Sequence, residues 1–154
     1  MDRAVSPVVA IVVLIGVSIA GAAGVAAIGS DVVDVEDRGA SPTLTASADV
    51  DTQTVALAHH GGTSLDLRNC SMTIHVAGDP LVEQPPVPYF AAAGFEGAPT
   101  GAFNSASDGV FEPGERARLS LAATNAPHFD PGDRVTVRIH RADVTVATAS
   151  VRAG

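Results

Sequence analysis

The chain has 154 residues, 17 acidic and nine basic, for a formal net charge of −8, and all nine basic residues are arginine. That length suits one domain plus one special segment. The acidic balance, with no basic run along the chain to neutralise phosphates, argues against nucleic acid as a partner.

The first element is an uncharged run from Ala4 to Ser30. At about 1.5 Å per residue it is long enough, as a helix, to cross a hydrocarbon core of about 30 Å. In lipid, backbone groups must bond within the segment, so one isolated span has to be helical. Ser6 suits the N-cap and Pro7 the first helical position. The acidic stretch Asp31–Arg38 can extend the helix, Gly39 is the expected stop, and Pro42 prevents continuation. Arg3 lies before the run, whereas Asp31, Asp34, Glu36 and Asp37 follow it. The positive-inside bias therefore puts the N-terminus in the cytoplasm and the rest of the chain outside. Gly16, Ala20 and Gly24 share one face at four-residue spacing, a surface suited to close helix–helix packing. Taken alone, the run is compatible with a signal peptide cut near Ala20-Gly21-Ala22 or with an uncleaved anchor holding an exterior domain.

A third reading rests on similarity. Arg3-Ala4-Val5-Ser6-Pro7-Val8-Val9, leading straight into the Val/Ile/Leu run, resembles the N-terminal signature of archaeal type IV pilins, the haloarchaeal ones in particular. The resemblance covers about residues 3–28. It implies a class III signal peptide, residues 1–4, removed on the cytoplasmic side by a prepilin peptidase. Arg3 and Ala4 would precede the cut and Val5 would become the new N-terminus. Residues 5–38 would form the retained pilin helix, with the membrane span about 5–29. Further partners implied are a pilus assembly ATPase with its membrane platform, membrane lipid, and copies of itself or sister pilins. The leader is short for the family, and Val8-Val9-Ala10 stands where an Ile-Gly pair is common.

After Pro42 the pattern changes to period two, the mark of half-buried strands. Strands are expected at 43–50, 55–59, 64–68 and 71–76, with Gly61-Gly62 as a turn and Gly78-Asp79-Pro80 as a break. Residues 79–109 are rich in Pro, Gly, Ala and Ser, and Gln84-Pro-Pro-Val-Pro88 excludes a central strand. They read as one long loop of a functional or mobile kind, with room for a short edge strand. Two matching corners, Glu112-Pro-Gly-Glu115 and Asp130-Pro-Gly-Asp133, precede strands at 116–121 and 134–140, and 144–151 ends the set. The expected fold is an N-terminal transmembrane helix followed by an antiparallel β-sandwich or barrel-like exterior domain over residues 39–154. Aromatic residues are few and Trp is absent, so Val, Ala, Leu and Ile are expected to build its core.

Sites for chemistry are sparse. Asn69-Cys70-Ser71 is an acceptor sequon for N-glycosylation in a domain expected to lie outside the cell. Cys70, the one cysteine, reads as a small buried apolar residue. His59, His60, His75, His128 and His140 lack zinc-site spacing, and the neighbours His59 and His60 would point to opposite faces of a strand. The acids Asp108, Glu112 and Glu115, and the pair Asp49 and Asp51, do not match a calcium-loop pattern. No nucleophile motif or phosphate-cradling glycine loop is present, so no enzyme activity and no cofactor are expected. The acid-rich, lysine-free composition suggests a salt-adapted protein, because carboxylates hold water and cations and high salt screens their repulsion. The function expected is a type IV pilin-like subunit of an adhesive surface filament. The alternative is a membrane-anchored exterior β-domain that does not polymerise.

Overall fold

The computed structural model of the protein describes residues 39–154. The expected leader, the expected cut between Ala4 and Val5, and the expected apolar helix with its small-residue face at Gly16, Ala20 and Gly24 all lie outside these residues.

Among the described residues nine strands form, all in antiparallel pairs: β1 (Thr43–Asp49), β2 (Thr54–Gly61), β3 (Leu65–Asp66), β4 (Ser71–Val76), β5 (Asp79–Pro80), β6 (Val110–Phe111), β7 (Arg116–Ser120), β8 (Arg134–Arg141) and β9 (Val144–Arg152). They make a three-stranded sheet in the order β1-β2-β7, a four-stranded sheet in the order β5-β4-β8-β9, and the small pair β3-β6. The alternation in the sequence sets the faces. In β8, Val135, Val137 and Ile139 are buried between outward Arg134, Thr136, Arg138 and His140. In β2, Val55, Leu57 and His59 are buried while His60 is exposed. The inner faces of both larger sheets contribute to one apolar core.

That core is more aromatic than the composition suggests. Four of the five phenylalanines are buried, and Phe103, Phe111 and Phe129 are among its largest fully enclosed side chains. Phe111 packs against Phe103 at 6.0 Å between ring centroids and meets the edge of His59 at 5.4 Å. Few aromatics suffice because nearly all of them are used, each burying far more surface than a Val or Ala.

The segment 79–109 holds a two-residue strand, β5, and a 3-10 turn at Gly101–Phe103, and it packs closely on the rest of the domain. Leu81, Val87, Tyr89, Phe95, Ala102 and Phe103 from this segment are buried. It also covers the outer edge of β7. Glu96 N donates to Ser120 O at 2.9 Å, and Thr100 N donates to Arg118 O at 2.9 Å. An edge that would otherwise invite pairing with another chain is thereby closed. Gly101 makes the approach feasible, since it has φ +63° and an added Cβ would collide with the Arg116 carbonyl oxygen.

Three side-chain amides complete the loops by standing in for backbone. Gln84 Oε1 accepts from Ile74 N at 2.7 Å while its Nε2 donates to Ile74 O at 3.1 Å. Gln53 exchanges the same pair of bonds with Phe129. Asn125, buried, joins Glu83, Gly94 and Ala126. The two larger sheets also meet at one end, where Gly154 N donates to Ala48 O at 3.1 Å and Val50 N donates to Gly154 O at 3.2 Å.

Candidate functional site

Asn69 closes a 3-10 turn, Leu67–Asn69, between β3 and β4. Asp66 caps this turn, accepting from the Arg68 backbone N–H at 3.1 Å. Arg68 also grips the Asp66 carboxylate with Nε and Nη2, both at 2.9 Å. These bonds hold Asp66 below the usual carboxylate range and raise the Arg68 guanidinium. The Asn69 side chain is exposed, and its Nδ2 donates to Asp66 at 3.2 Å. Ser71, the third sequon residue, is the exposed first residue of β4. The acceptor nitrogen therefore stands on a short, pinned, solvent-facing turn. Cys70, half-buried, packs against the core.

The histidines are dispersed. His59 is 1 % exposed, with Nε2 against Thr63 O at 3.0 Å and Nδ1 without a partner. His60 meets Thr45 Oγ1 at 2.7 Å on the opposite face. His140 sits between two hydroxyls on the outside of the four-stranded sheet, Thr73 and Thr145, each at 3.0 Å. Among the described residues, no three His, Cys, Asp or Glu come together as a metal-ligand group. Asp49 is occupied locally: Thr52 N donates to it at 2.9 Å, which lowers its pKa. Glu115 accepts from Glu112 N at 2.9 Å, closing its own corner.

A groove of about 580 Å³ runs over the outer face of the β1-β2-β7 sheet. Ser47, Asp49, Thr52, Thr54 and Ala56 of β1, β2 and the turn between them line it, with Arg118 and Ser120 of β7. Glu96, Ala98 and Thr100 of segment 79–109 form one wall, so the long segment shapes this surface without hanging free. The groove offers hydroxyls, two carboxylates and one guanidinium, which suits hydrogen bonding to a polar surface. It has no nucleophile paired with a base. The period-two pattern marked its strands, but the wall was not readable, because residues 96–100 reach β7 through backbone bonds that no side-chain pattern announces.

A second surface was also hidden in the sequence. β4, β8 and β9 contain no Asp or Glu, yet β8 and β9 carry four of the nine arginines. Thr136 and Ser150 bond across this face at 3.0 Å. No protein-family model matches the chain, and no curated protein matches it.

Proposed function

We propose that this chain is a type IV pilin-like structural subunit of a cell-surface filament, made as a precursor and involved in attachment to surfaces. One observation carries the reading. The Arg3-Ala4-Val5-Ser6-Pro7 signature runs directly into an uncharged stretch that ends only at Asp31. A prepilin peptidase would cut after Ala4, so the stretch is kept as a membrane anchor before assembly and as filament core afterwards. Burial of apolar surface and close packing at Gly16, Ala20 and Gly24 would hold neighbouring helices together. The assembly ATPase, its membrane platform and sister pilins are the partners this role requires.

The folded region supports the role in a general way. Its antiparallel sheets enclose one apolar core, with Val82, Phe90 and Val144 left exposed. The arrangement of residues 39–154 gives a hydroxyl-rich groove and an exposed sequon, both suited to an outward surface. The work assigned in this reading is mechanical and adhesive.

N-terminal sequencing and intact mass of the mature protein test the reading. The chain should begin at Val5, and an Ala4→Asp variant should accumulate uncut. A mature chain that keeps Met1–Ala4 would overturn the pilin role and favour a simple anchor. A start near Ala23 would indicate a secreted domain instead.

A further inference from the structure

We propose that the outer face of the β5-β4-β8-β9 sheet is a docking surface for a second copy of this chain, engaged head to tail by the acidic Glu112–Glu115 corner. The proposal deepens the filament reading and rests on it.

The first observation is charge segregation. The chain carries 17 acidic residues, and none lies in β4, β8 or β9, the sheet's one strand acid being Asp79 on the short edge strand β5. Outward positions of β8 and β9 instead present Arg134, Arg138 and Arg152, set among Thr136, Thr148 and Ser150. Among the described residues the one ion pair joins Arg68 to Asp66, so no described carboxylate pairs with these three arginines, and Arg152 donates to Gly132 O at 3.0 Å. The second observation is local and unfavourable. Arg134 and Arg152 are direct cross-strand partners, and a shallow hollow of about 180 Å³ is lined by both together with Ser150 and Val151. Like charges placed directly opposite weaken a sheet. An arriving carboxylate would relieve that repulsion while accepting charge-assisted hydrogen bonds.

The molecule supplies the complementary group at its other end. The Glu112–Glu115 corner bonds to the end of β2, where Gly114 N donates to His59 O at 2.7 Å. Arg134 and Arg152 sit at the opposite end of the domain, near Gly132 and Ala153. Both glutamates are exposed. A contact between opposite ends of identical subunits is heterologous, and such contacts propagate into rings or open filaments. Pairs excluded from water on docking are screened by salt much less than exposed ones.

The test uses the full-length chain, with filaments sheared from expressing cells and pelleted. An Arg134→Glu/Arg138→Glu variant should yield about tenfold less filament or lower, with unchanged protein in the membrane, the loss expected from about 1.4 kcal/mol per contact. Glu112→Arg/Glu115→Arg should do the same, and combining all four substitutions should restore assembly. Limited proteolysis of each variant checks that the domain is folded. Wild-type yield from the folded arginine variant overturns the proposal, as does failure of the folded fourfold variant to recover. An arginine variant that assembles fully but no longer binds an immobilised anionic polysaccharide also overturns it, and assigns the face to an external surface. Wild-type chain that keeps Met1–Ala4 and gives no filament removes the filament reading as well. Normal wild-type filaments indifferent to these charges remove the docking contact alone.

Discussion

Asn125 holds Glu83 by both backbone atoms, accepting from its N–H at 3.1 Å and donating to its carbonyl at 3.0 Å. The same amide donates to Gly94 O at 3.1 Å, so one buried side chain ties two points of segment 79–109 to the turn before Phe129. Removing it leaves buried donors and acceptors without partners. Asn125→Ala should destabilise the domain by about 3 kcal/mol, the range for several lost buried hydrogen bonds. Chemical denaturation followed by circular dichroism would read this as a lower midpoint with little change in slope. An unchanged midpoint would show that the segment is held by its apolar side chains, Gln84 and the backbone bonds to β7 without help from Asn125.

Gly101 and Gly114 separate steric clash from backbone preference. Both have positive φ, but a Cβ at Gly101 would strike the Arg116 carbonyl oxygen, whereas nothing lies within 4 Å of one at Gly114. Gly114→Ala should cost about 1 kcal/mol, the left-handed penalty by itself. Gly101→Ala should cost about 2 kcal/mol or more, since the clash is added to that penalty. Thermal melts of the two variants side by side would decide it, and equal losses would rule out the clash.

Tyr89 is the one tyrosine in a chain without tryptophan, so its ionisation can be followed directly by ultraviolet absorbance. Its hydroxyl is buried without a partner, and burial pushes its pKa up to about 12 from 10.0. The folded phenol thus binds its proton more tightly than the unfolded one. Its contribution to stability is fully present below about pH 10 and is lost as pH rises towards about 12. Tyr89→Phe should abolish this alkaline loss. At neutral pH it should leave stability unchanged or raise it by about 1 kcal/mol, because a desolvated hydroxyl is removed. A wild-type phenol titrating near 10 in the folded protein would contradict the burial.

Asp66 titrates below an ordinary carboxylate chiefly because Arg68 hydrogen-bonds to it. Stability from this group is present above the unfolded carboxylate pKa and lost as pH falls through the lower folded value. Arg68→Ala should raise the Asp66 pKa towards its ordinary value in a carboxyl NMR titration. A pKa that did not move would assign the lowering to the backbone N–H of residue 68.

If Asn69 is glycosylated, the mature protein should carry a glycan mass that Asn69→Gln removes. The substitution should leave the melting temperature nearly unchanged. Asn69 gives the turn only one exposed bond to Asp66, whereas Arg68 grips the same carboxylate twice. Identical masses for the two proteins would show that the sequon is not used.

The strands with unbroken alternation were readable from the sequence. β4 forms at Ser71–Val76, the expected span, and β8 and β9 extend theirs by a residue, because each alternating residue finds the core on one side and water on the other. β6 was not readable, since Val110–Phe111 is too short to show a period and exists through pairing with Leu65 and Asp66. Segment 79–109 concealed its role for a related reason. Its buried side chains follow no regular spacing and are fixed by Gln84 and Asn125, amides that look in sequence like ordinary surface residues. The arginine face was hidden by distance along the chain, because Arg134 meets Arg152 only when β8 and β9 pair. Among the candidate site residues, Asn69 could be placed by its motif on a turn, but nothing in the motif foretells the Asp66–Arg68 clasp beneath it.

The amides that stand in for backbone also share one chemical vulnerability. Gln53, Gln84 and Asn125 each use the NH₂ end as a donor to a carbonyl. Slow hydrolysis of the amide would exchange that donor for a negatively charged acceptor facing another acceptor. The lesion changes mass by very little and shape hardly at all, yet it turns an attraction into a repulsion at the joints between loops that these amides hold. Loss of the amide at Gln84 or Asn125 would therefore undo the bonds that segment 79–109 makes to Ile74 and to the turn before Phe129, while leaving its apolar contacts in place.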